Sequence, residues 1–205
     1  MNENIFEEQV SEYLRYNGFF LIRDFVIHFE DSQPQEIDFV GIRLPKSIEQ
    51  TMYSNGRYSN FVFEEDVEKL NLGDTSNAIL LIAEVTESEK NSAIKERISK
   101  LGNKIRGSYA LQRLGVYSKE NIDALFNGKS INYFGNVKAY LLRVLFILND
   151  QIAIKYIEEN NGITFISRKD VISFIKRRAK INIKRQSRAL LPRWLHNYVD
   201  ELLQR

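Results

Sequence analysis

Two carboxylates stand where apolar strands end. In Ala78-Ile79-Leu80-Leu81-Ile82-Ala83-Glu84-Val85-Thr86 a run of β-formers reads as a strand buried on both faces. On the pleat Leu80, Ile82, Glu84 and Thr86 share one face. A carboxylate that continues a Leu–Ile row is costly unless a cation or a hydrogen-bond donor satisfies it. Asp38 repeats the pattern in the stretch Glu36–Arg43, where it shares its face with Val40 and Ile42. Two acids at the ends of two apolar strands suit a site that holds a metal ion. The chain has no cysteine and only His28 and His196, which excludes thiolate and all-histidine zinc sites, so oxygen would be the main ligand.

The elements that must position these acids follow from hydrophobic periodicity. Phe6, Val10, Tyr13, Leu14 and Asn17 fall on one helical face and Gly18 supplies a stop, which predicts a helix over 4–17. Residues 19–29 are strand-like with a break or bulge near Arg23 and Asp24, and a turn at 31–34 leads into the Asp38 strand to make a hairpin. The polar stretch 44–77 is long for a connection, which favours a functional loop, and Asn55-Gly56 between Tyr53 and Tyr58 predicts a small hairpin flap. After the Glu84 strand the pattern predicts a basic helix from about Lys90 to Leu114, a strand over 137–148, a short strand over 162–166 and a helix N-capped by Ser167. Pro192 opens a last amphipathic helix through Trp194, Leu195, Tyr198, Leu202 and Leu203. The expected fold class is α/β, a mixed central sheet of about four or five strands flanked by helices. Residues 1–150 would form the core and 151–205 a basic helical extension, packed on the core or winged-helix-like.

Composition narrows the function. A hydrophobic content of 43% with 12% aromatics excludes a largely disordered chain. No stretch reaches the roughly 18–20 apolar residues of a membrane span. The acidic N-terminus lacks the layout of a signal peptide, and the absence of cysteine fits a cytoplasmic protein. The net charge of +2 hides an asymmetry: residues 1–89 hold 6 Lys/Arg against 18 Asp/Glu, and residues 90–205 hold 23 against 9. The densest basic stretch runs from Arg168 to Arg193 through Lys169, Lys176, Arg177, Arg178, Lys180, Lys184, Arg185 and Arg188, opposed only by Asp170. An acidic half that can hold cations and a basic half that can hold phosphates point to a nuclease, while a solvated helix face is the plainer reading of the charge run.

Helix, strand, acid-tipped strand, acid-tipped strand, helix, strand is an order that resembles the restriction-endonuclease-like, or PD-(D/E)XK, nuclease superfamily over roughly residues 4–147. Asp38 stands where the family Asp would be, and Glu84-Val85-Thr86 where its Glu-X-Lys would be. The opening stretch is similar to that of archaeal Holliday-junction resolvases, in which a helical Glu precedes apolar residues and a Gly-Phe that begins the first strand. Glu7, Val10, Tyr13, Leu14, Gly18 and Phe19 match that spacing.

The resemblance implies an endonuclease that hydrolyses DNA phosphodiester bonds with Mg²⁺ or Mn²⁺. Mg²⁺ is satisfied by one or two carboxylates, water and substrate phosphate. Asp38, Glu84 and the backbone carbonyl of Val85 would form that half-cage, and Glu7 would bind a second ion directly or through water. The ion would polarise the scissile phosphate and lower the pKa of the attacking water. Thr86 departs from the pattern, since it can donate a hydrogen bond but brings no charge. Either a lysine of the following helix, Lys90 or Lys95, reaches inward in its place, or Thr86 serves in its place as non-lysine residues do in other members, or the domain is a catalytically inactive module that binds DNA or a protein.

Further residues take lesser roles. Glu36 is expected at the rim of the site, and His28 is expected to hydrogen-bond in place. Lys104, Arg106 and Gln112 lie on the flanking helix, where the family often presents groups to DNA. Tyr53, Arg57 and Tyr58 would stack on bases or grip the backbone from the flap, or fold back as a small cluster. The cluster from Lys176 to Arg188 would bind phosphates, and Trp194 with Leu195 and Tyr198 reads as core or dimer interface. A homodimer is expected if both strands are cut. A glycosidase also uses paired carboxylates, but so basic a C-terminal half suits a polyanion better. No glycine-rich phosphate loop precedes a Lys-Ser or Lys-Thr pair.

Overall fold

The structure is a computed structural model that describes residues 5–30, 32–45, 47, 49–52, 58–61, 69–70, 72, 76–149, 151, 156 and 162–182. In chain order its elements are α1 (Ile5–Tyr16), β1 (Phe19–Phe29), β2 (Ser32–Arg43), β3 (Glu49–Met52), β4 (Tyr58–Phe61) and β5 (Ala78–Thr86). They continue with α2 (Asn91–Gly102), α3 (Lys104–Arg113), α4 (Lys119–Phe126), β6 (Ile131–Phe134), β7 (Val137–Ile147), β8 (Thr164–Ser167) and α5 (Arg168–Asn182).

A six-stranded mixed sheet runs β1-β2-β5-β7-β6, with β8 also paired to β7. β2 is antiparallel to β1 and β5, whereas β7 is parallel to β5 and β8. The parallel β5–β7 step needs a long crossover, which α2, α3 and α4 supply. Every residue of β5 is buried, as its unbroken apolar run requires of a strand covered on both faces. Its alternation sorts the core into two layers. Ile79, Leu81, Ala83 and Val85 meet Phe6, Val10, Tyr13 and Leu14 of α1 and Val171, Phe174 and Ile175 of α5. Leu80 and Ile82 meet Ile94 and Leu101 of α2, Ala110 and Leu111 of α3 and Phe126 of α4. The expected α/β class is present, with a sheet of six strands rather than four or five, and with β3, β4, two further helices and β6 inserted into the expected helix–strand–strand–strand–helix–strand order.

Differences from expectation have local causes. The single helix expected over 90–114 is two, because Asn103 adopts an extended conformation and its side chain accepts from the Arg106 N–H at 3.1 Å, capping α3. α4 and β6 lay outside the expected elements, although Ser118 caps α4 by accepting from the Asn121 N–H. β2 begins at Ser32, ahead of the expected turn residue Pro34. Pro34 lies in the register shift between Ile27 and Phe29, where no ladder partner needs its missing N–H. β3 and β4 pair antiparallel as the flap requires, but its tip at 53–57, with Tyr53 and Arg57, lies outside the described residues.

The described part of the basic extension is built into the core. Thr164–Ser167 pair with Val144–Ile147. Ser167 Oγ accepts the Asp170 N–H at 3.2 Å and donates to Asp170 Oδ2 at 2.9 Å, a reciprocal cap on α5. The expected helix after Pro192, with Trp194, lies outside the described residues. Among those described, no helix is long and apolar enough to cross a membrane.

α3 crosses α4 at Gly107, where a Cβ would lie 2.3 Å from Phe126 Cζ. Gly107→Ala should therefore lower stability by about 1–3 kcal/mol, read as a fall in Tm. An unchanged Tm would mean that Phe126 turns aside without cost.

Candidate active site

The β2–β5 ladder runs from Arg43 opposite Ile79 to Phe39 opposite Ala83 and stops there. The next residue on each strand is an acid, Asp38 on β2 and Glu84 on β5. In place of a further ladder bond, Asp38 Oδ2 accepts the Val85 N–H at 2.6 Å. The fork has a cause in the neighbouring strand. Asp24 of β1, opposite Asp38 between the pairs Arg23–Phe39 and Phe25–Ile37, has φ +51°. Aspartate is among the few residues that enter this left-handed region at modest cost. Across the kink the side-chain phase of the hairpin slips. Phe19, Leu21 and Phe39 pack with the α1 layer, and Phe25, Ile27 and Ile37 with the α2–α4 layer. A backbone irregularity of this kind re-aims the side chain beside it and ends the pairing.

Two arginines meet the acids. Glu84 is fully buried. Its Oε1 accepts from Arg106 Nη2 at 2.5 Å and its Oε2 from Arg97 Nη1. The same Arg97 nitrogen lies 3.3 Å from Asp38 Oδ1 and 3.2 Å from Oδ2. Arg106 Nη2 also donates to the Glu36 carbonyl. Glu84 is thus anchored through Oε1 by Arg106 and turns Oε2 toward Arg97, whereas Asp38 is anchored through Oδ2 by Val85 N–H and shares Arg97 between both oxygens. Burial pushes the Glu84 carboxyl upward, reinforced by the Asp38 charge, while Arg106 and Arg97 pull it back. Burial alone would lower the Arg97 guanidinium, but Asp38 and Glu84 outweigh it and hold it above its ordinary value.

Neither arginine was expected in this role, although helical spacing carries the signal. Ile94, Arg97, Ile98 and Leu101 recur at i, i+3, i+4 and i+7, which puts Arg97 on the inward face of α2. Lys90 and Lys95, the residues expected to replace the motif lysine, are exposed. Arg106 shares the buried side of α3 with Gly107, Ala110 and Leu111. It is 1% exposed, so the expectation that it contacts DNA is corrected: it is the internal counter-ion of Glu84.

The other expected site residues are dispersed. Thr86 is buried and its Oγ1 accepts the Ser88 N–H at 3.2 Å, a local turn contact. Among the described residues no group of three His, Cys, Asp or Glu is placed to hold a metal ion, so Glu7 does not join Asp38 and Glu84. Its helix packs on the opposite layer, against the Ile79–Val85 row. Glu36 is exposed and reaches the site only through its carbonyl, and His28 is exposed as well. Lys104 pairs with Asp123 at 3.0 Å. Arg178, expected on a phosphate-binding surface, is 3% exposed, with its guanidinium 5.2 Å from the Tyr16 ring centroid and 5.9 Å from that of Phe174. Burial lowers its pKa to about 10. Its position follows from spacing, since Val171, Phe174, Ile175 and Arg178 form one helical stripe. Arg177 is exposed and Lys176 half-buried on α5, which also carries Lys180, while Lys184, Arg185 and Arg188 lie outside the described residues.

No family model matches the chain, and no curated protein and no solved structure matches it.

Proposed function

We propose that the protein is a metal-dependent nuclease that hydrolyses DNA phosphodiester bonds, with Asp38 and Glu84 as the metal-binding acids and Arg97 as the cation that the resemblance assigns to a lysine. The observation that carries this reading is the convergence of two acids from adjacent strands on one guanidinium of the next helix, at the point where their ladder ends. The donor set fits Mg²⁺ or Mn²⁺, because the oxygens of Asp38 and Glu84 that meet Arg97 are hard, anionic and share one focus. A bound ion would polarise the scissile phosphate and lower the pKa of the attacking water.

The chain's own residues have defined tasks in this scheme. Val85 N–H and Arg106 hold the two carboxylates in fixed orientation. Arg97, 30% exposed in its side chain, would compete with a bound cation for the same oxygens. Once displaced, its planar guanidinium is suited to a phosphate oxygen pair, where it stabilises developing negative charge.

One observation favours a second reading, a nuclease-like module without catalysis that binds DNA or a protein. Arg97 and Arg106 together neutralise Asp38 and Glu84 and occupy both oxygens of Glu84. Incubation with supercoiled, linear and branched DNA in Mg²⁺ or Mn²⁺, with a chelator control, separates the two. Nicking or cutting that vanishes with chelator is the expected result. Tight, metal-independent binding that weakens steeply with salt, without cleavage, would replace the nuclease by the module.

A further inference from the structure

On the side of the sheet away from β1, strand β7 has two neighbours that leave a gap between them. β6 covers Val137–Ala139 and β8 covers Val144–Ile147. Tyr140–Arg143 therefore present a strand edge with no paired strand on that side among the described residues. A cavity of about 800 Å³ opens at this gap, lined among others by Phe126, Asn127, Tyr140, Arg143, Ile163 and Thr164. That volume is within the usual range for small-molecule sites, about 300–1,000 Å³. None of its lining residues belongs to the acid–arginine cluster, so it is a separate site.

Arg143 is the one charged residue of this lining among the described residues. Its guanidinium lies 5.3 Å from the Phe126 ring centroid. It also backs onto Gly162, where a Cβ would come within 2.6 Å of Nη2. Unlike Arg97 and Arg106, it has no hydrogen bond or ion pair among the described residues. Burial lowers its pKa, as expected of a partly dehydrated cation. A guanidinium held between an aromatic ring and a glycine backbone keeps its N–H fork available in a fixed plane, the geometry that a carboxylate matches with two parallel bonds.

We propose that this cavity binds a small organic molecule bearing a single carboxylate on an apolar or aromatic body, the carboxylate pairing with Arg143. Among the described residues the lining carries one positive charge, which matches a monoanion. Leu125, Phe126 and Ile163 receive the apolar body, and Asn127 and Thr164 offer neutral hydrogen-bonding groups beside it. The proposal is independent of the nuclease reading.

The test titrates the full chain with 4-phenylbutyrate and, in parallel, with 4-phenylbutanol, which has the same body without the charge, following backbone amide shifts by NMR. Saturable shifts at Arg143, Ile163 and Thr164 are expected with the acid, and binding at least about tenfold weaker with the alcohol. Arg143→Gln should weaken the acid by a similar factor, and Arg143→Lys should recover part of the loss. Equal binding of acid and alcohol, acid binding unchanged in Arg143→Gln, or no saturable shift up to about 10 mM would overturn the proposal. The acid–alcohol comparison uses only the wild-type protein and stands even if a variant fails to fold.

Discussion

Glu84→Ala is expected to lower stability by about 3–5 kcal/mol as well as to end cleavage, because it leaves a buried charge without its counter-ion. Arg106 is 1% exposed, and its Nε and Nη1 have no partner among the described residues, so without Glu84 only the Glu36 carbonyl answers it. The upward push on the Glu84 carboxyl is consistent with this. Burial makes the pair a poor source of stability, yet removing half of it is worse than keeping it. Asp38→Asn isolates the chemistry. Its amide oxygen can still accept the Val85 N–H, and Arg97 retains Glu84, so stability should change by only about 1 kcal/mol while cleavage is lost. Urea denaturation and plasmid nicking of the two variants provide the check. Glu84→Ala with wild-type stability would show that Arg106 is satisfied elsewhere, and Asp38→Asn that cuts as wild type would make Asp38 structural. Glu84→Met combined with Arg106→Leu should restore much of the stability without activity. The pH dependence has a defined sign. The folded chain holds the Glu84 proton more tightly than the unfolded chain does. The contribution of this group is therefore complete below the unfolded pKa of about 4.3 and is lost as pH rises through the folded one. Glu84→Gln should remove that component.

Arg97→Ala should move metal affinity and cleavage in opposite directions. Removing the guanidinium frees Asp38 Oδ1 and Glu84 Oε2, so Mn²⁺ should bind more tightly by calorimetry. Cleavage should fall by about 10²–10³, the usual cost of losing a preorganised group that stabilises transition-state charge. Arg97→Lys should cut at an intermediate rate. Thr86→Lys in the Arg97→Ala background should recover activity if the position two residues after Glu84 points to the same phosphate. Loss of cleavage with unchanged Mn²⁺ affinity would show that the guanidinium and the ion do not compete. Unchanged cleavage would remove Arg97 from the reaction.

The acids were legible in the sequence because a strand's period of two fixes faces without knowledge of the partners. Leu80, Ile82 and Glu84 had to share a side, whereas the adjacency of β2 and β5 was an expectation of the resemblance alone. The arginines were legible in principle and were passed over. Arg97 lies two residues beyond Lys95, and two helical residues differ by about 200° around the axis, enough to separate an inward from an outward side chain. Counting charges over Arg168–Arg193 treated Arg178 as surface, whereas its spacing from Phe174 and Ile175 turns it inward. The break at Asn103 was hidden because the basic, amphipathic pattern continues on both sides of it. Only the competition of the Asn side chain for the Arg106 N–H separates α2 from α3.

Asp24 also decides how this molecule behaves toward its own copies. Among the described residues β1 is the outermost strand on its side, and it carries exposed Phe20, Ile22 and Val26, a rim that would template strand addition if it were flat. The left-handed residue in its middle kinks that rim between Phe19–Arg23 and Phe25–Phe29, so a flat incoming strand is expected to fit one segment better than both. Edge-to-edge growth along the whole rim is thereby disfavoured. The kink that re-aims Asp38 at its cluster therefore also shields a greasy edge from polymerisation.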